Sequence, residues 1–235
     1  MNSYLDQFKE LFKYDNFIFR GVPDSNYELK PSLYRNIKDK KNIDELIEIF
    51  NKEDDIFQLI LNDNEKSENE LSLSSLCKLQ HYGVATRLLD FTKDFDIALT
   101  FALTSFYMEE FIDNGKDAAI YVLDKHKFIH NYDDHEILAE LIYKFNSEDC
   151  EEMSWKYNNI ERKAILPLRP TYFELDDYES FERVEKQRGC FILFPHALQG
   201  DFSINDEDIE YKIIIPKSIK RELYENLKIK MCYLK

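Results

Sequence analysis

The spacing of hydrophobic positions changes character along this chain. In residues 44–61, DELIEIFNKEDDIFQLIL, the apolar side chains Leu46, Ile47, Phe50, Phe57, Ile60 and Leu61 recur at helical intervals with acids between them, which predicts an amphipathic helix. The polar stretch NDNEKSENE separates it from a second helix, LSLSSLCKLQHYG, for which Gly83 is the stop signal. VATRLLDFT then reads as extended. KDFDIALTFALTSFYMEEFI follows as a largely buried helix through Ile97, Phe101, Leu103 and Phe106, with Asp94 as its cap.

Beyond Asn114-Gly115 the pattern turns strand-like. AAIYVLD at 118–124 has the β-branched and aromatic content of a buried strand, and EILAELIYKF from 136 is a further amphipathic helix. KAILPLRP, GCFILFP and YKIIIP read as strands, a helix follows Pro216, and KIKMCYL reads as a last strand. Near the amino terminus, the apolar strand Phe17-Ile18-Phe19 ends on a charged residue, Arg20, followed by Gly21. Helices concentrate in the first half and strands in the second, the mark of an α+β fold rather than an alternating parallel sheet. With no internal repeat and no Pro/Gly/Ser linker, residues 1–235 read as a single domain with a helical insertion at about 40–80.

Composition adds constraints. A chain of 235 residues, 44% hydrophobic and 14% aromatic, buries a full core without staples. Its net charge of −15 repels polyanions, so nonspecific nucleic-acid binding is disfavoured; a basic protein partner suits that charge, although solvated helix faces explain most of the acid. Cys77, Cys150, Cys190 and Cys232 are widely spaced, as for reduced thiols of a cytoplasmic protein. The amino terminus lacks the pattern of a signal peptide, and no apolar stretch is long enough to span a membrane.

Three clusters carry chemistry. His126, His130 and His135 include a pair at ligand spacing, but Asn131, Asp133 and Asp134 favour a loop, so surface residues are the expectation and no metal is predicted. LQHYGVATRLLDFT places Gln80, His81, Thr86, Arg87, Asp90 and Thr92 around Leu88-Leu89. In a strand, Thr86, Leu88, Asp90 and Thr92 share one face and Arg87, Leu89 and Phe91 the other. Asp90 and Thr92 then either cap the following helix or form part of a site, and Arg87 is either an ion-pair partner or a ligand contact. FERVEKQRGCFILFP delivers Arg183, Gln187 and Gly189 onto a buried strand, as a site or as a plain turn.

In order, FRG, LxPSLYR, QHYGxxTRLLDFTxxxxxALxFA and RxxxQxGxF closely resemble the FRG domain family from about Phe17 to Phe194. That resemblance brings no settled chemistry. A more distant one is to mono-ADP-ribosyltransferases of the Arg-Ser-Glu class, which carry an arginine ending an early strand, a Ser-Thr-Ser strand leading into a helix, and a Glu/Gln-x-Glu loop before a strand. Phe19-Arg20-Gly21, Leu89-Asp90-Phe91-Thr92 and Gln187-Arg188-Gly189 look like those three elements.

The distant resemblance implies an ADP-ribosyltransferase-like split sheet and NAD as substrate. Arg20 and Gly21 would meet the pyrophosphate, with His81, Tyr82 and Arg87 as further binding residues; Tyr82 or Phe91 would stack on nicotinamide. Asp90, Thr92 and Gln187 are the catalytic candidates. The expected catalytic glutamate is replaced by Gly189, leaving Asp90, Glu182 or Glu185 as the carboxylate, with Asp90 preferred because it shares a face with Thr92. The expected function is an NAD-dependent ADP-ribosyltransferase or NAD glycohydrolase acting as a toxin or phage-defence effector on a macromolecular acceptor. The alternative is a non-catalytic ligand-binding or interaction module built on a buried Arg/His/Asp network. A metal-dependent nuclease ranks last, because the motif blocks supply no carboxylate cluster.

Overall fold

In the computed structural model, which describes residues 8, 10, 12, 15–35, 76–77, 79–80, 83–105, 110–129, 170–174, 187–194 and 202–232, period-2 runs become strands. They are β1 (Phe17–Val22), β2 (Leu88–Thr92), β3 (Ala118–Asp124), β4 (Thr171–Phe173), β5 (Gly189–Leu193) and β6 (Ile209–Ile215). All six join one sheet in the order β4-β5-β2-β1-β3-β6, and every neighbouring pair is antiparallel.

Alternation sorts the central strands into two core layers, as the strand pleat requires. Ile18 and Val22 of β1 join Leu89, Phe91, Ala119, Tyr121 and Ile192 on one face, where Tyr34, Phe194 and Phe202 complete the layer. Phe19 joins Ala118, Ile120, Val122, Ile213 and Ile215 on the other. That second face is covered by α1 (Phe95–Leu103) and α2 (Lys217–Cys232), which contribute Phe95, Ala98, Leu99, Ala102, Leu223 and Leu227.

Helix α1 starts where its cap dictates. Asp94 accepts hydrogen bonds from the backbone N–H groups of Asp96 (2.8 Å) and Ile97 (3.2 Å), satisfying two donors that a helix start leaves open. Its buried stripe is Phe95, Ala98, Leu99 and Ala102; Ile97 and Phe101, expected in the core, lie at its flanks half-buried. The two alanines let the helix lie against β1, where a Cβ on Gly21 would stand 1.8 Å from the Ala98 carbonyl oxygen.

The fold is α+β, but the expected division into a helix-rich first half and a strand-rich second half does not hold. Both central strands of the sheet, β1 and β2, come from the first half, and the 16-residue α2 closes the second. KIKMCYL was expected to be a strand, yet α2 continues to Cys232. Leu223 and Leu227, four residues apart and both buried, set a helical period that overrides the alternation beyond them. The predicted helices at 44–61 and from 136, the strand KAILPLRP apart from Pro170, and most of the insertion lie outside the described residues. Among the described residues no helix is long and apolar enough to cross a membrane.

Candidate functional site

Strands β1 and β2 are paired at a single position, Phe19 opposite Thr92, whereas β1 and β3 are paired along six. Beyond Phe19 the β2 backbone has no β1 ladder partner, and the Arg20 side chain supplies one: its Nη1 donates to the Asp90 carbonyl oxygen. The same nitrogen lies 3.9 Å from Asp90 Oδ2. Burial pushes the Arg20 guanidinium down, the Asp90 charge opposes this, and the nearby Arg35 charge adds to the depression. Arginine remains protonated under such shifts, so Arg20 is a fixed cation.

Asp90 is held from the other side as well. Gln80 Nε2 donates to Asp90 Oδ1, Thr86 Oγ1 donates to Gln80 Oε1, and Leu88 N donates to Thr86 Oγ1 at 3.2 Å. The chain of bonds aims Asp90 outward; its side chain is 54% exposed while that of Arg20 is 18% exposed.

Thr92 joins three elements. Its buried hydroxyl donates to the Gln187 carbonyl oxygen at 2.7 Å and accepts from Asp94 N at 3.0 Å. The end of β2, the start of α1 and the turn before β5 are thereby locked together. In that turn, Arg188 adopts a left-handed conformation (φ 46°), its carbonyl accepts from Lys93 N at 3.0 Å, and its guanidinium lies 3.6 Å from Asp94. Gly189 stands opposite Thr92 in the β2–β5 ladder.

A cavity of about 710 Å³ opens along these strand ends. Arg20, Gly21, Asp90, Thr92 and Gln187, five residues singled out from the sequence, all line it. Arg87 does not: it is 1% exposed, and its carbonyl accepts from Phe194 N at 3.1 Å. His81, Tyr82, Glu182 and Glu185 lie outside the described residues. Phe91 reaches the cavity wall but is 4% exposed and packed in the core.

Tyr27 is 54% exposed and lines the cavity, offering a ring face for stacking. It had no signal in the sequence beyond its place between the FRG and LKPSLYR blocks. Lys30 and Arg35, from the second of those blocks, line the same cavity. Cys77 is also in the wall, but burial, with the Asp90 charge, pushes its thiol well up, which disfavours a thiolate there.

Of the three histidines, His126 is described: it is exposed, in the 3-10 turn Lys125–Phe128, with a ring nitrogen 3.3 Å from Asn16 Oδ1. Among the described residues no three His, Cys, Asp or Glu side chains are grouped as metal ligands would be.

No curated protein and no solved structure matches the chain. The FRG domain matches residues 15–110, a span that includes β1, the LKPSLYR block, β2 and α1 but stops short of the RxxxQxGxF block at β5. Arg20 and Gln80, which both donate to Asp90, lie with it inside that span, so the part of the chain that is similar to the FRG domain, residues 15–110, contains the Arg20–Asp90–Gln80 contacts of the cleft.

Proposed function

We propose that this cleft binds NAD and supports ADP-ribosyltransferase-like chemistry. The observation that carries the reading is the order β5-β2-β1 in the sheet, which gathers the Arg20, Asp90-Thr92 and Gln187-Gly189 segments around one cavity although 70 residues separate the first two and 95 separate Thr92 from Gln187. The cavity volume lies in the range of small-ligand sites, and an exposed tyrosine beside a fixed arginine suits a ligand with flat rings and a diphosphate.

With Gly189 lacking a side chain, Asp90 is the carboxylate for the reaction. Cleavage breaks the bond between ribose C1′ and the nicotinamide nitrogen, and the electron pair leaves with nicotinamide. Positive charge develops at C1′, where a carboxylate stabilises it, as in glycoside hydrolysis. An acceptor hydroxyl, amine or water then forms the new bond to C1′ and gives up its proton to the carboxylate or to solvent. Gln80 and Arg20 hold Asp90 in one orientation for this task. Thr92 and the Gln187 backbone set the shape of the pocket rather than contacting reacting atoms, because the Thr92 hydroxyl is already engaged on both sides. A macromolecular acceptor, as for a toxin or phage-defence effector acting in the cytoplasm, belongs to the same reading.

A second reading, a non-catalytic binding module, is favoured by the bonds from Arg20 and Gln80 to Asp90, which partly neutralise the carboxylate. Nicotinamide release from NAD, measured chromatographically with and without cell extract, separates the two. The transferase reading predicts release by wild type and a loss of about 100-fold or more in Asp90→Asn with NAD affinity retained. Binding without release in any condition gives the second reading.

A further inference from the structure

The LKPSLYR block has no role in the reaction described above, yet its backbone is among the most firmly seated segments near the cleft. Leu29, Leu33 and Tyr34 are buried at 2%, 7% and 0% exposure, and the Tyr34 ring meets Phe202 edge-on at 5.1 Å. Leu33 N donates to the Thr86 carbonyl at 3.2 Å, and Ile204 N donates to the Leu29 carbonyl at 3.0 Å. Ser32 Oγ accepts from Thr86 N at 3.2 Å. Thr86 is also the residue that bonds Gln80, which in turn holds Asp90.

Between these anchors two cations are presented to the cavity. Lys30 and Arg35 both line it, and among the described residues neither side chain has a hydrogen bond or ion pair. Glu28, an acid on the same segment that also lines the cavity, forms no ion pair with either. In a chain with 46 acids and 31 Lys and Arg, two cations that form no ion pair among the described residues stand out on the wall that also carries Arg20. The Arg35 charge bears directly on Arg20. Positive charges that share one concave wall attract an anion into it.

We infer that Lys30 and Arg35 form a second anionic subsite, which holds the second phosphate of a diphosphate-bearing ligand whose first phosphate lies on Arg20. The inference rests on the NAD reading only for the identity of the whole ligand; the subsite itself requires a diphosphate. Arg20 keeps donors for the first phosphate, because a guanidinium has five and only the Nη1 contacts are to Asp90. Arg35 is exposed and Lys30 half-buried, so both can be replaced without opening the core.

The test is calorimetric titration of the full chain with AMP, ADP and NAD at low salt. Wild type is expected to bind ADP on the order of tenfold or more tighter than AMP, and Lys30→Gln/Arg35→Gln to lose that preference while its unliganded melting temperature stays unchanged. Arg35→Lys, which keeps the charge, is expected to retain most of the preference. Equal affinity for AMP and ADP in wild type, or an undiminished preference in the double variant, overturns the inference. ADP bound in a Lys30- and Arg35-dependent way with no binding of NAD upholds the subsite and defeats the NAD reading. NAD bound equally by wild type and the double variant does the reverse.

Discussion

Gly21→Ala is expected to destabilise the protein by about 3 kcal/mol or more, the upper end of overpacking effects. The added Cβ would lie 1.8 Å from the Ala98 carbonyl oxygen and 2.8 Å from Ala102 N. Those are backbone atoms of α1, so no side-chain rotation relieves the overlap. Relief requires α1 to lift from β1, which would open the layer where Phe19, Phe95, Leu99 and Leu103 pack. Gly115→Ala is the matching control: nothing lies within 4 Å of its Cβ position, but φ is +66°, so it should lose only about 1–2 kcal/mol from backbone strain. Urea denaturation of the two variants checks the difference; an equal, small loss in both would mean that α1 does not rest on Gly21.

Arg20→Ala should remove NAD binding by at least 100-fold in affinity, because it deletes a charged, bidentate donor from the cavity wall. A stability loss of about 1–3 kcal/mol should accompany it, the usual value for a hydrogen bond from a charged group. That loss follows from the contact with the Asp90 carbonyl, the substitute for a missing ladder bond between β1 and β2. The two effects are separable. Arg20→Lys keeps the charge without the planar fork, and should recover part of the affinity but little of the stability. Calorimetry for the ligand and urea denaturation for the fold measure them independently. A stability loss with no change in ligand affinity would make Arg20 a structural residue alone.

The parts of this fold legible in the sequence are those decided by local spacing. AAIYVLD at 118–124 and GCFIL at 189–193 form strands over the residues where alternation or continuous apolar content predicts them, and Asp94 caps α1 as its position before an apolar run implies. KIKMCYL misleads because its alternation over a few residues competes with a helix already nucleated and packed through Leu223 and Leu227. The motif residues Arg20, Asp90 and Gln187 were visible as exceptions: polar groups attached to apolar strands. Their convergence depends on strand order, which no local pattern encodes.

Other site features depend on long-range docking and left little trace in the sequence. Lys30 and Arg35 are ordinary surface cations until the 3-10 turn Ser32–Tyr34 is seated against Thr86. Gly21 was legible as a candidate pyrophosphate contact, whereas the closeness of the α1 backbone to its Cα left no trace in the sequence. Thr92 was legible as a polar group on the strand, whereas its two bonds, to Gln187 and Asp94, make it a joint between β2, α1 and the β5 turn.

The measurement that bears most directly on the central claim is a crystal structure of the full chain grown with NAD. The dinucleotide is expected in the cavity of about 710 Å³, with its diphosphate within hydrogen-bond distance of the Arg20 guanidinium and its nicotinamide ribose facing Asp90. NAD bound elsewhere on the molecule, or absent from the cleft at saturating concentration, would contradict that claim.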